Sequence, residues 1–264
     1  MHKDSAFYSA DGDMLIAPQE GNLDITTEFG KLYLTPWEFC VIPRGVKFNV
    51  SLDAEGTNCR GYICEVYRSH FRPIERGPIG SNGMANERDF LTPKAAFEDR
   101  ECDFTVYCKF LGKFFSTKYD RSIFDVVAWH GNYVPFKYNI KYYNTIGSIS
   151  YDHPDPSIFT ILSVSSEDPY TSVCDFAVFN PRWLVAENTF RPPYFHRNTM
   201  TEFMGNIYGV YDAKEKGFEP GGASLHSCMS GHGPEYEVFD KMSNTQLEPK
   251  KVDNTLSFMF ETCY

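Results

Sequence analysis

The stretch Gly21-Asn-Leu-Asp-Ile-Thr-Thr-Glu-Phe-Gly30-Lys-Leu-Tyr-Leu-Thr-Pro-Trp-Glu-Phe-Cys40-Val-Ile-Pro-Arg-Gly45 reads as three strands separated by turn residues. Leu23, Ile25 and Thr27, then Leu32 and Leu34, alternate as half-buried antiparallel strands do. Phe39-Cys-Val-Ile42 is a short unbroken apolar run, the pattern of a strand covered on both faces. Gly21, Gly30 and Gly45, with Pro36 and Pro43, supply the breaks. Working outward, Met14–Ala17 precedes this stretch, and Lys47–Val50 and Tyr62–Val66 follow it with the same texture. Further runs lie at Thr105–Cys108, Gly112–Phe115, Ser157–Leu162, Val173–Phe179, Glu202–Tyr211 and Leu256–Phe260. One short helix fits Tyr236 to Met242. With 23 Phe and 17 Tyr among 264 residues, the composition favours many strands and tight turns, so an all-β class is expected.

The spacing of leucines, glycines and prolines from Gly21 to Gly45 resembles the repeating strands of a cupin barrel. No histidine falls in that stretch, so a cupin half there is a metal-free one. The chain reads in two halves that divide near residue 140. The formal net charge of −10 offers no basic stripe to neutralise phosphates, which argues against a nucleic-acid partner. No run reaches membrane-spanning length and the first residues have no apolar core, so a cytoplasmic protein with no membrane partner is expected. The eight cysteines contain no CxxC pair and several sit in apolar runs, the pattern of buried free thiols in a reducing compartment.

The chemistry concentrates between Tyr194 and Pro234, where His196, Glu202, His226 and His232 lie among glycines, prolines and aromatics. Two neutral imidazoles and one carboxylate can cap one face of a divalent iron, leaving the opposite positions for a substrate and dioxygen. The even separation of His196 and Glu202 puts both on one face of an extended segment, and a tight turn between them serves equally well. The alternative is a polar rim with scattered histidines. His130, between a bulky apolar run and a glycine, reads as structural, and His2 and His70 have weaker functional claims still.

Phe124-Asp-Val-Val-Ala-Trp-His-Gly-Asn-Tyr133, Asp152-His-Pro-Asp-Pro-Ser-Ile-Phe-Thr160, Phe190-Arg-Pro-Pro-Tyr-Phe-His-Arg-Asn198, Glu202-Phe-Met-Gly205, Pro220-Gly-Gly-Ala-Ser-Leu-His226 and His232-Gly-Pro234 together resemble the homogentisate 1,2-dioxygenase family. The likeness runs along essentially the whole chain and is strongest from Phe124 onward. It implies a metal-free β domain over residues 1–140 and a catalytic cupin domain over 141–264, a two-part, bicupin-like double-stranded β-helix. It also implies His196, Glu202 and His232 as ligands of a ferrous ion, Fe(2+), and His153 as the catalytic base. Tyr211, His226 and His232 become the substrate contacts. The implied reaction opens the ring of homogentisate with O2 to give maleylacetoacetate in phenylalanine and tyrosine breakdown. The implied assembly is a homo-oligomer, a hexamer built from trimers. Family members are longer, so the chain reads as shortened at its N-terminus and slightly at its C-terminus. A dioxygenase for another hydroquinone acid such as gentisate, and a shortened inactive cupin acting as a binding or assembly partner, are the other readings.

Overall fold

The structure, a computed structural model, describes residues 1–74, 85–145, 156–168, 171–184 and 194–263. It forms two compact units, Met1–Phe71 with Arg88–Asn139, and Arg72–Glu87 with Ile140–Tyr264. The first contains β1 (Ser5–Ser9), β2 (Asp13–Glu20), β3 (Leu23–Thr27), β4 (Gly30–Leu34), β5 (Glu38–Ile42), β6 (Phe48–Leu52) and β7 (Arg60–Val66). After β8 (Phe71–Pro73) come β9 (Glu101–Phe110), β10 (Lys113–Arg121) and β11 (Phe136–Asn139).

The pairing explains the architecture. β3 and β4 close a hairpin from Thr27↔Gly30 to Leu23↔Leu34. The same two arms continue outward, Ile16 opposite Cys40 and Met14 opposite Ile42 in β2 and β5, then Phe7 opposite Phe48 in β1 and β6. A single two-stranded ribbon is thus wound back on itself, and β3 also pairs with β6 and β2 with β7 where successive windings meet. That is the double-stranded β-helix of a cupin, with sheet orders β10-β9-β1-β6-β3-β4 and β11-β5-β2-β7. Its inward side chains are hydrocarbon: Leu23, Ile25, Leu32, Leu34, Ile42, Val46 and Phe48 form one buried cluster. A second, around Ala6, Phe104, Val106 and Phe124, lies where β9 joins β1.

The second unit repeats the plan. Its strands are β12 (Thr160–Ser165), β13 (Ser172–Phe179), β14 (Arg182–Leu184), β15 (Thr201–Gly209), β16 (Ala223–His226), β17 (Lys250–Val252) and β18 (Thr255–Thr262). Nested pairs join β15 to β16, β14 to β17 and β13 to β18, and β15 also pairs with β18. The central order β13-β18-β15-β16 therefore reproduces β1-β6-β3-β4 of the first unit. A helix, α1 (Tyr236–Asn244), interrupts the returning arm of this ribbon between β16 and β17, at the expected place.

Several sequence expectations shift. The run Ser157–Leu162 opens as a 3-10 turn, Pro156–Phe159, before β12 begins. The strand read as Glu202–Tyr211 ends at Gly209, leaving Tyr211 outside it. The runs at Thr105 and Gly112 extend into a long ribbon whose outer strand, β10, is exposed along its length. All eight cysteines are free as expected, but Cys228 and Cys263 are exposed, and only Cys40 and Cys174 are fully buried.

β15 stops at Gly209, where a Cβ would lie 1.8 Å from the Asn254 carbonyl oxygen.

 The φ of Gly209 is +67°, a region that side-chain-bearing residues enter only at a cost. Gly209→Ala is therefore expected to destabilise the chain by about 2 kcal/mol or more, from backbone strain together with the clash. A urea-unfolding midpoint equal to that of the unsubstituted chain would contradict this reading of the strand end.

Candidate metal centre

Three elements of the second unit bring the candidate residues together. Glu202 is the second residue of β15, in the middle of a three-strand row with His226 of β16 on one side and Glu261 of β18 on the other. His196 and His232 face each other across an isolated two-residue bridge, joined by His196 N–H to the His232 carbonyl at 2.8 Å and the reverse bond at 3.0 Å. The segment from His196 to Glu202 is not one extended strand. Asn198 turns it, its side-chain oxygen accepting the Met200 N–H at 3.1 Å, so the turn and not an even strand spacing relates the two candidate residues.

His196, Glu202 and His232 each offer a donor atom within 4.8 Å of the other two, the one such group among the described residues. The histidine tautomers follow from their neighbours. His196 Nδ1 lies 2.7 Å from the Tyr194 carbonyl and His232 Nδ1 lies 2.9 Å from the Ser230 carbonyl. A carbonyl only accepts, so both Nδ1 atoms carry hydrogen, and in the neutral rings Nε2 is left with its lone pair. Yet His232 Nε2 lies 2.9 Å from Glu202 Oε2. A lone pair facing a carboxylate at that distance is repulsive unless positive charge lies between them, either a proton on the ring or a metal ion. The donor set thus fits a divalent cation of the kind bound by imidazole and carboxylate. Glu202 is only 4% exposed, and a buried carboxylate is costly unless positive charge or donors meet it, which strengthens the same demand.

The other residues of the site differ in how well they are placed. His226 stacks on His232, ring centres 4.4 Å apart and planes 13° from parallel. Its buried Nδ1 has no hydrogen-bond partner and lies 3.7 Å from Glu202 Oε2, too far for a hydrogen bond. Burial, then the neighbouring His232, pushes its pKa down and so favours the neutral ring. Tyr211 packs in an aromatic group with its ring 5.5 Å from Phe179 and 6.1 Å from Phe218. Burial raises its pKa, so the hydroxyl stays protonated and able to donate. His153 lies outside the described residues.

Two contributors escaped the sequence reading. The Asn198 amide donates to Glu202 Oε1 at 3.2 Å and to Glu261 Oε1 at 3.3 Å. Glu261 is a carboxyl that follows the apolar run Phe258-Met-Phe260 near the end of β18, and that break in the pattern was its only signal. Burial, and next the charge of Glu202, push its pKa up to about 7. The remaining histidines are elsewhere. His130 is exposed, not packed in a core, with Nδ1 3.2 Å from the Gly131 carbonyl. His70 is better anchored than its charged surroundings implied, 3.0 Å from the buried Asp13.

Comparison with known proteins bears on this site. Residues 1–140 match the family described as homogentisate 1,2-dioxygenase N-terminal, and residues 141–264 match homogentisate 1,2-dioxygenase C-terminal. Among solved structures, the chain aligns with the protein YhaK from Escherichia coli at 7% identity, over 96% of this chain and 76% of that one, with a TM-score of 0.33. It aligns with the bacterial pirin YhhW from Escherichia coli, in complex with nickel(II), at 8% identity over 97% and 75%, with a TM-score of 0.31. Likeness at that level carries no argument about the site.

The raised pKa of Glu261 has a consequence for the metal-free chain. Between the usual 4.5 and about 7 the folded state holds a proton that the unfolded state releases. The folded state is therefore favoured at the acid end of that window, and this contribution is lost as pH rises through it. Glu261→Gln, which imitates the protonated form, is expected to flatten that decline in urea-unfolding stability. Parallel pH profiles for the two chains would show that Glu261 ionises freely in the fold.

Proposed function

Since the chain belongs to the homogentisate 1,2-dioxygenase family, we propose that it opens the ring of homogentisate with O2 to give maleylacetoacetate, using a ferrous ion held by His196, Glu202 and His232. The observation that carries this reading is the 2.9 Å approach of His232 Nε2 to Glu202 Oε2, with Nδ1 already committed to a carbonyl. When bound, the iron supplies the one-electron reactivity that dioxygen requires and a Lewis-acidic position for a phenolate.

The chain's own residues do the rest. The two carbonyls that receive the Nδ1 hydrogens fix both imidazoles with Nε2 turned to the ion. His226, neutral and with an unpartnered Nδ1, hydrogen-bonds a ring hydroxyl of the substrate. The protonated hydroxyl of Tyr211 donates to the substrate. His153 removes a proton from a ring hydroxyl, a role suited to an imidazole that titrates near neutrality and carried here by the family likeness alone. Positioning of the acetate-bearing carbon beside the reacting oxygen then selects the bond that breaks.

We further propose that the protein works in the cytoplasm as a homo-oligomer. In support, among the described residues no helix is long and apolar enough to cross a membrane. Phe114, Phe115 and Tyr119 of the edge strand β10 are exposed, the kind of edge that seeks a partner. Light scattering that gave a monodisperse monomer would remove the oligomer from this account.

Purified under reducing conditions, the chain is expected to hold one ferrous ion and to consume oxygen with homogentisate but not with gentisate. His196→Ala and Glu202→Ala should each lose both iron and oxygen uptake. A variant that kept stoichiometric iron and full turnover would disprove the ligand assignment. His153→Ala should keep its iron and lose on the order of 100-fold or more in rate, the cost of removing a positioned acid-base group. Loss of iron in that variant would make His153 a ligand instead.

A further inference from the structure

The two oxygens of Glu202 have different surroundings. Oε2 faces His232 Nε2 at 2.9 Å and His226 Nδ1 at 3.7 Å, on the side of the donor cluster. Oε1 faces away, to the amide of Asn198 at 3.2 Å. The orientation of that amide is not a free choice. The Asn198 side-chain oxygen accepts the Met200 N–H at 3.1 Å, so its nitrogen must point to the carboxylates. The same nitrogen has a second acceptor, Glu261 Oε1 at 3.3 Å. The main chain is fixed as well, because the Asn198 carbonyl accepts the Met229 N–H at 2.8 Å in the loop that leads to His232. One residue therefore ties together the turn after His196, the strand of Glu202, the strand of Glu261 and the loop before His232.

We propose that Asn198 is a positioning residue that biases Glu202 toward one-oxygen ligation: its amide holds Oε1 away from the donor cluster and leaves Oε2 as the oxygen presented to the metal. The inference rests on the metal reading above and deepens it. A carboxylate free at both oxygens can clasp a divalent ion through both, and the second bond takes a coordination position. Three single-atom ligands leave the remaining positions to substrate and dioxygen. Holding Oε1 by a neutral donor, without adding charge, preserves the vacancy that the chemistry uses. Asn198 touches neither the ion nor the substrate in this scheme.

The test uses the full chain loaded with cobalt(II), whose visible absorption reports coordination number independently of turnover. Asn198→Ser keeps a side-chain oxygen for the Met200 N–H but has no amide to reach Glu202. Asn198→Asp, the same shape as asparagine, also keeps the acceptor and loses the donor, and gives the same spectral readout if the serine chain does not fold. Both variants should shift to the weaker absorption of a higher coordination number, and Asn198→Ser should bind cobalt(II) about 10- to 100-fold less tightly, the usual effect of removing a group that orients a metal ligand. If Asn198 served only the turn, the serine variant would keep both the spectrum and the affinity of the unsubstituted chain, and so would overturn the proposal. An unsubstituted chain that bound no cobalt(II) would be a different failure: it would take down the metal reading itself, and this inference with it.

Discussion

A buried carboxylate beside imidazole lone pairs is the constraint on which the site depends. Glu202 sits on a strand with neighbours on both sides, almost entirely removed from water. Two histidines are turned so that their unprotonated nitrogens, and not their N–H groups, are available to the site. Without positive charge beside Oε2 each feature is costly to the fold, even with the Asn198 amide on Oε1. Both make sense when a cation occupies the space between them. In the proposed centre, the cost of burying the carboxylate is part of what favours a positive ion there.

The wound ribbon is common to both units, and the side chains it carries decide which of them holds the candidate site. Both units share the central strand order, so the backbone alone offers similar positions in each. In the first unit the inward positions of β3 and β4 are Leu23, Ile25, Leu32 and Leu34, which fill the interior with hydrocarbon. In the second, β15 and β16 put Glu202 and His226 in register across the pair. The difference lies in side chains on a common plan, which is how a fold separates stability from chemistry.

Much of this was legible in the sequence, for reasons that particular residues make plain. The alternation of Leu23, Ile25 and Leu32, Leu34 has the period of a strand, and it survives in the fold because those side chains fill a core. His196, Glu202 and His232 stood out because polar residues capable of binding metal were concentrated among glycines and prolines. What stayed hidden was contact made through space. Asn198 and Glu261 are 63 residues apart, and no local pattern announces that one amide joins them. The same holds for Asp13 and His70, 57 residues apart, whose pairing gives structural work to a histidine in an unremarkable charged segment. Tyr211 was misplaced by two residues of strand because the break at Gly209 depends on the approach of the Asn254 carbonyl.

The ribbon also decides when the centre can exist. His196 and Glu202 belong to its outgoing arm and His232 to its returning arm, with β16 and its turn between them. No ligand pair that spans the arms is assembled until the ribbon has closed, so an ion bound by all three residues binds the folded chain and not the unfolded one. Mass action then makes the ion a clasp on the fold, worth about 2.7 kcal/mol when free metal stands at about 100 times its dissociation constant. Under the proposed iron ligation, iron supply and protein abundance become linked: in an iron-poor cell the unfolded population rises and is cleared by proteases. A substitution that weakens the fold far from the centre is then felt most when iron is scarce, and is partly masked when iron is plentiful.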